Sequence, residues 1–410
     1  MGAVDVEAVW RVESARIVAA LTRFTGDLGL AEDATQEAVA EALVSWPRAS
    51  PANPAGWLMA TARRRAIDTI RRRTALRDRY ALLAVDAAGD PAASWVEDVD
   101  PDRIDDDVLA LMFVSCHPVL PPAARVALTL RVVGGLSSEQ IARAFLVPVP
   151  TVQARITRAK KTIAAARVPF ELPPADERRA RLGGVLHVLY AIFTEGSTAT
   201  SGDHLLRPDV AYEAIRLIRT LAALQPDEAE VHGLLALCEL TAARFPARTD
   251  PDGTPVLLED QDRRLWDTSA IRRGLAALNR TSPRNPGPYA LQAAIAATHA
   301  AAPSVGATDW DRVVLLYDAL GRVTPSPVVD LNRAVAVAMA SGPARALAIV
   351  EELVTARRLP GSHLVPTVRG ELLARLGRSA EARVELELAA RLCANQRERA
   401  VLLRRAATLG

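Results

Sequence analysis

The sequence of 410 residues is poor in cysteine and in aromatic residues, and both shortages narrow the class of protein. Its three cysteines, Cys116, Cys238 and Cys393, lie far apart and form no CxxC pair, so we expect neither a disulfide framework nor a metal site. An odd cysteine count without a signal peptide indicates a reducing cytoplasm. Aromatic residues make up 4% of the chain and apolar residues half of it, which predicts helices and almost no sheet.

Long apolar runs and catalytic motifs are missing as well. No apolar run approaches the roughly twenty residues that span a bilayer, so we expect no membrane segment. The chain has no GxGxxG, GxxxxGK[ST], GxSxG or HExxH motif, and its six histidines share no metal-ligand spacing. Glu195 and Asp203 flank a segment rich in Gly, Ser and Thr, but nothing else there indicates catalysis. We therefore expect no enzyme, and we expect no cofactor.

Among the patterns that are present, the clearest runs from Leu136 to Ile163 and predicts a helix, a tight turn and a second, basic helix. Ser137 and Gln140 form a capping box at the start of the first helix. In the second helix, one apolar stripe consists of Val152, Ile156, Ala159 and Ile163. The other faces carry Gln153, Arg155, Thr157, Arg158, Lys160 and Lys161, a set that suits the groove of a DNA duplex. The alternative is a solvated basic helix of an all-α domain. Leu146 keeps this alternative open, because many helix-turn-helix motifs carry glycine at that position of the turn.

A second basic segment, Trp57 to Arg73, lies some seventy residues upstream. Its apolar residues repeat every fourth position, which predicts a helix with a buried stripe formed by Leu58, Ala62, Ala66 and Ile70. The remaining faces carry Arg63, Arg64, Arg65, Arg71, Arg72 and Arg73. So many like charges on a short helix are unfavourable unless a polyanion lies nearby. The preceding loop is bracketed by Trp46 and Trp57, whose rings either hold unstacked bases or anchor a small core.

The segment before that loop, Ala31 to Leu43, has the opposite charge. Its narrow apolar face predicts a helix on which Asp33, Glu37 and Glu41 form one row at four-residue steps. Like charges in this arrangement repel each other by roughly a few tenths of a kcal/mol per pair. A basic protein partner would offset the repulsion, whereas an isolated helix would keep the row in solvent.

The order of acidic helix, loop, arginine helix, acidic linker and helix-turn-helix resembles a bacterial RNA polymerase sigma factor of the extracytoplasmic-function type. The similar stretches are AEDATQEAVAEAL (31–43), NPAGWLMATARRRAIDTIRRR (53–73) and GLSSEQIARAFLVPVPTVQARITRAKKTI (135–163). By this resemblance, the polymerase clamp is bound by Asp33, Gln36, Glu37 and Glu41. The loop at 45–55, Trp57 and the arginine helix would capture and melt the −10 element. The helix from Thr151 to Lys161 would read the −35 element in the major groove.

Two later stretches, VLYAIFTEGSTATSG and LLEDQDRRLWD, are similar to a sigma subgroup with a long tetratricopeptide-like extension. Helix pairs rich in Ala and Leu recur there, and Gly342 and Gly377 lie 35 residues apart, close to the length of such a repeat. Stacked pairs form a concave surface that usually binds peptides or proteins. The predicted organisation is a region 2 domain (1–80), an acidic linker (81–107), a region 4 helix-turn-helix domain (108–170) and a helical-repeat domain (175–410).

The sequence thus predicts an all-α promoter-specificity subunit whose partners are core RNA polymerase and promoter DNA, with a protein or small-molecule signal acting on the C-terminal repeats. Two alternatives remain open. One is a helix-turn-helix regulator that binds duplex DNA without polymerase, and the other is a helical-repeat scaffold whose basic segments bind RNA or acidic proteins. The acidic helix beside the arginine helix favours the sigma factor, because a simple repressor needs neither.

Overall fold

The computed structural model describes residues 5–81, 101–197 and 206–409. Within these ranges the regular elements are helices, apart from one isolated antiparallel bridge between Thr249 and Pro255, and this confirms the all-α prediction. The chain divides into two compact units, residues 1–189 and 190–410. Most of the predicted acidic linker, and Asp203, lie outside the described residues. No helix in the described part of the chain is long and apolar enough to cross a membrane.

The first unit begins with three helices, α1 (Val6–Thr25), α2 (Leu28–Ser45) and α3 (Pro54–Ala81). Helix α1 begins after Asp5, whose carboxylate accepts a hydrogen bond from the Glu7 backbone, and ends at Gly26 in the left-handed conformation. The three helices share a core in which small side chains allow close approach and Trp46 is the large ring. Other members of this core are Ile17, Leu21, Ala34, Ala38, Ala42, Leu58, Ala62 and Ala66.

The predicted stripe of α3 is confirmed at Leu58, Ala62 and Ala66, which are fully buried, but it is wrong at Ile70, which is 37% exposed. The reason is the angular drift of a four-residue step. Each such step advances about 40° beyond a full turn, so Ile70 lies about 120° around α3 from Leu58. Its side chain therefore turns away from the core that α3 shares with α1 and α2, although the residue spacing continues.

Four further helices follow in the same unit: α4 (Pro101–Ser115), α5 (Pro122–Val132), α6 (Ser138–Phe145) and α7 (Val149–Ala165). The capping box is confirmed, because the Ser137 hydroxyl accepts from the Gln140 amide and the Gln140 side chain accepts from the Ser137 amide. The predicted stripe of α7 is buried at all four positions. Leu146 ends α6 with φ 49°, in the left-handed region that glycine usually occupies.

The rest of the chain is a succession of helices: α8 (Ala175–Ser197), α9 (Pro208–Leu224), α10 (Ala229–Ala242), α11 (Thr268–Leu278), α12 (Pro288–Ala301), α13 (Trp310–Val323), α14 (Pro327–Ser341), α15 (Pro343–Thr355), α16 (Leu364–Arg375), α17 (Ser379–Leu392) and α18 (Gln396–Ala407). From α12 onward each helix packs against the next. Gly370 allows α16 to approach α17 closely, since a Cβ there would lie 2.8 Å from Leu386 Cγ. This arrangement is typical of helical repeats, and a tetratricopeptide identity stays a prediction.

Candidate polymerase and nucleic-acid interface

The four side chains predicted to bind polymerase lie at the surface of α2. Asp33 and Glu37 are 65% and 53% exposed, and Gln36 and Glu41 are half-buried. The exposed pair is therefore open to a protein partner, whereas the other two are partly covered by neighbouring side chains.

The acidic row is partly neutralised within the chain by α3. Arg65 donates a hydrogen bond of 2.7 Å to Glu41 and has its Nε atom 3.9 Å from Glu37. Arg64 lies 3.6 Å from the other oxygen of Glu41. The hydrogen bond and the charge of Glu41 raise the pKa of Arg65. Two of the arginines predicted to bind DNA thus also contact residues predicted to bind polymerase.

The remaining predicted arginines of α3 differ in their surroundings. The Arg63 guanidinium lies 5.0 Å from the centre of the Phe24 ring, and Arg72 donates to the Asp68 carbonyl of its own helix. Arg71, Arg72 and Arg73 are exposed. One face of α3 forms a groove of about 500 Å³ lined by Gly56, Met59, Ala60, Arg63, Arg64, Ile67, Asp68 and Arg71. Apolar side chains thus lie between arginines along this groove.

The two tryptophans that bracket the loop between α2 and α3 have different environments. Trp46 is 2% exposed and belongs to the core, so for this ring the anchoring alternative is confirmed. Trp57 is half-buried and meets Trp46 edge to face, with ring centres 5.6 Å apart. Trp57 therefore keeps part of its surface open at the start of α3, next to the groove.

The predicted DNA-reading side chains of α7 divide between two flanks of the helix. At 3.6 residues per turn, Thr151, Arg155 and Arg158 lie within about 60° of one another. Gln153 lies about 160° from Arg155. Gln153, Arg158 and Lys161 are exposed, while Thr151 and Arg155 are half-buried. The structure therefore brings the threonine and the two arginines together and leaves Gln153 on the opposite flank, the one that carries Lys160.

A buried charge cluster joins α2 to α5 and α7. The Glu32 carboxylate, 5% exposed, accepts a hydrogen bond of 2.7 Å from Arg131 Nε and one of 2.8 Å from Lys160 Nζ. Lys160 also donates to Asp33 at 2.8 Å. Burial acts to raise the pKa of Glu32, but the charges and hydrogen bonds of Arg131 and Lys160 outweigh it and lower the pKa. The carboxylate is therefore held ionised between two cations.

Sequence reasoning missed this cluster, and the residue pattern holds no local signal for it. Glu32 lies about 100° around α2 from the buried Ala31, so periodicity alone puts it outside the core. Its partners are 99 and 128 residues away. Two further hydrogen bonds join α1 to the turn after α5 and to α6. Trp10 Nε1 donates to the Gly135 carbonyl at 2.7 Å, and Gln140 Nε2 donates to Glu7 at 3.0 Å.

Family models match the chain in three places. Residues 11–75 match sigma-70 region 2, residues 110–163 match sigma-70 region 4, and residues 181–282 match a family of unknown function, DUF6596. The first two matches contain α2, α3 and α7. The chain therefore belongs to the sigma-70 family of RNA polymerase sigma factors, in its extracytoplasmic-function group, and it carries a long helical C-terminal extension.

Curated relatives agree with this assignment. An uncharacterised protein of Rhizobium meliloti is 46% identical over 388 residues, which cover 93% of this chain and 90% of the relative. A probable ECF RNA polymerase sigma factor, SigI of Mycobacterium tuberculosis, is 31% identical over 173 residues, which cover 42% of this chain and 59% of that protein. No solved structure matches the chain.

Proposed function

We propose that this sigma factor divides promoter recognition between α3 and α7 and acts in the bacterial cytoplasm as a specificity subunit, not as an enzyme. Helix α3 with the loop before it binds and melts the −10 element, and α7 reads the −35 element. The exposed carboxylates of Asp33 and Glu37 bind core polymerase. The observation that supports this proposal is the presence, in a single unit, of an acidic row, an arginine-lined groove and a basic recognition helix.

Transcription in vitro tests the proposal. Purified chain and core polymerase are incubated with genomic fragments, and 5′ ends are mapped with and without the chain. We expect new start sites that share two elements at constant spacing. A helix-turn-helix regulator would instead shift duplex DNA in a gel without polymerase and create no start site, which would contradict the proposal.

We further infer that the contact between α2 and α7 represents a closed form. The −10 and −35 elements are about 25 base pairs apart, on the order of 85 Å along the DNA at about 3.4 Å per base pair. In the structure Lys160 of α7 touches Glu32 and Asp33 of α2 at 2.8 Å. One molecule reads both elements only after α7 has moved away from α2.

Substitutions in the two helices should have separable effects. Arg155→Ala should weaken recognition at one position of the −35 element by about 1–3 kcal/mol if the guanidinium reads a base. Arg71→Ala should reduce open-complex formation at every promoter and flatten its salt dependence, because a phosphate contact is lost. A promoter library assayed at several salt concentrations measures both effects. Identical profiles for the two variants would contradict the division of labour.

The C-terminal repeats are proposed to regulate the first unit by holding or releasing its closed form, with a protein or small molecule acting on their surface. A coupling of about 1–3 kcal/mol would change activity about 5–150-fold. We expect that ending the chain after Pro174 raises transcription in vitro relative to the full chain. This end point retains Phe170, whose ring lies 5.7 Å from the Arg23 guanidinium. Loss of activity in a cooperatively folded fragment would instead identify the repeats as a required brace, and equal activity would exclude both roles.

A further inference from the structure

Three potential metal ligands converge where the last three helices meet. His363 precedes α16, Cys393 follows α17 and Glu398 lies in the first turn of α18. His363 Nε2 is 3.4 Å from one Glu398 oxygen, and Cys393 Sγ is 3.6 Å from the other. All three ligand atoms lie within 4.8 Å of one another. Sequence spacing did not reveal this cluster, because the histidine comes from a different helical pair.

These separations fit a tetrahedral zinc ion. Zinc binds sulfur at about 2.3 Å and nitrogen or oxygen at about 2.0–2.2 Å, so neighbouring ligand atoms in a tetrahedron lie roughly 3.3–3.7 Å apart. The distances from His363 Nε2 and Cys393 Sγ to Glu398 fall in this range, although they end at different oxygens of its carboxylate, so a small rotation of that group would bring one oxygen to both partners. A cysteine with a histidine is a soft to borderline ligand set, which selects zinc over magnesium or calcium.

The backbone that carries two of the ligands is fixed by hydrogen bonds. Arg399 donates to the Cys393 carbonyl through Nε at 3.1 Å and through Nη2 at 2.6 Å. The Asn395 side chain caps α18 by accepting from the Arg397 and Glu398 amides. Cys393 and Glu398 are thus held on either side of a rigid turn, and this reduces the entropy lost when an ion binds.

Burial increases from one side of the cluster to the other. Cys393 is 1% exposed, whereas His363 and Glu398 retain part of their surface in solvent. An ion can therefore enter from the histidine and glutamate side, and a water molecule or an external ligand can complete the tetrahedron there.

We propose that His363, Cys393 and Glu398 bind one zinc ion, with the Cys393 thiol releasing its proton to solvent as its sulfur becomes a ligand and with the fourth position left open. The ion would cross-link α16, α17 and α18 at the end of the chain. It would also give the C-terminal unit an input that depends on metal supply. This proposal does not depend on the assignment of the DNA-binding residues.

Zinc titration of the full chain tests the proposal. The protein is stripped with a chelator, dialysed and titrated with Zn²⁺ in competition with a chromophoric chelator. We expect about one equivalent to bind, and we expect binding to be lost in Cys393→Ser and weakened at least tenfold in Glu398→Gln. His187→Ala is the matched control, because His187 is an exposed histidine outside the cluster and should leave the titration unchanged.

Cobalt gives an independent readout of the sulfur ligand. Co²⁺ bound to a thiolate produces an intense ultraviolet charge-transfer band, which should appear in the natural chain and be absent in Cys393→Ser. Glu398 is partly exposed, so Glu398→Gln should fold even if the cysteine variant does not. Full zinc stoichiometry in Cys393→Ser, no zinc binding by the natural chain, or cobalt binding without the thiolate band would each overturn the proposal.

Discussion

Replacing Glu32 with alanine is expected to separate α7 from α2. The substitution leaves Arg131 and Lys160 in a site built around a buried carboxylate, and losing one partner of a buried ion pair costs about 3–5 kcal/mol. Energy transfer between dyes on exposed positions of α2 and α7, such as Val44→Cys and Ala165→Cys, measures the separation. The three native cysteines are buried and should not react with the dyes. We expect the transfer to fall and the urea midpoint of the unit to decrease.

The matched control is Asp33→Asn, because Asp33 contacts the same lysine but is mostly exposed. An exposed ion pair contributes about 1 kcal/mol or less, so this variant should remain closed.

Acid provides a second test. The pKa of Glu32 is lowered from its ordinary value of 4.5, so the ionised carboxylate stabilises the closed form fully above that value. This stabilisation is lost as the pH falls through the folded-state pKa. Acid-induced opening should therefore disappear in Glu32→Ala. Unchanged energy transfer in that variant would show that another contact maintains the closed form.

Features governed by near neighbours in the chain could be predicted from the sequence. The capping box depends on two residues three positions apart, and the stripe of α7 depends on the helical period. The acidic row of α2 likewise follows from spacing, although its proximity to Arg65 does not. These patterns were sufficient for the all-α class and for the family.

Contacts between distant segments could not be predicted in the same way. Glu32 has the spacing of an ordinary surface residue, but α5 and α7 pack against α2 and make it the centre of a buried ion cluster. Ile70 has the spacing of a core residue, yet the drift of successive four-residue steps turns it away from the core. His363 comes to Cys393 only because successive helices pack against each other. For Glu32 and His363 the deciding factor is packing against a segment that local periodicity does not specify.

Reversing the charge of Glu37 is expected to abolish polymerase binding without unfolding the chain. Glu37 is 53% exposed and its contact with Arg65 is 3.9 Å, so the intramolecular cost should be below about 1 kcal/mol. If Glu37 lies in a desolvated interface with a basic partner, Glu37→Arg places like charges together there at a cost of several kcal/mol. A loss of about 3 kcal/mol corresponds to more than about 100-fold in Kd. Fluorescence titration of labelled chain with core polymerase measures it.

Glu177→Arg is the control for this last experiment. Glu177 is 58% exposed on α8 and lies 3.7 Å from Arg181, so its exposure and ion pair closely match those of Glu37. It lies outside the acidic row of α2, and its reversal should leave the Kd for polymerase within about twofold, since an exposed charge away from the interface contributes little. Both variants should give the same helical circular dichroism as the natural chain. Unchanged affinity of Glu37→Arg for polymerase would exclude Glu37 from the interface. Equal loss in both variants would point to a general charge effect, because only a local contact distinguishes two such similar carboxylates.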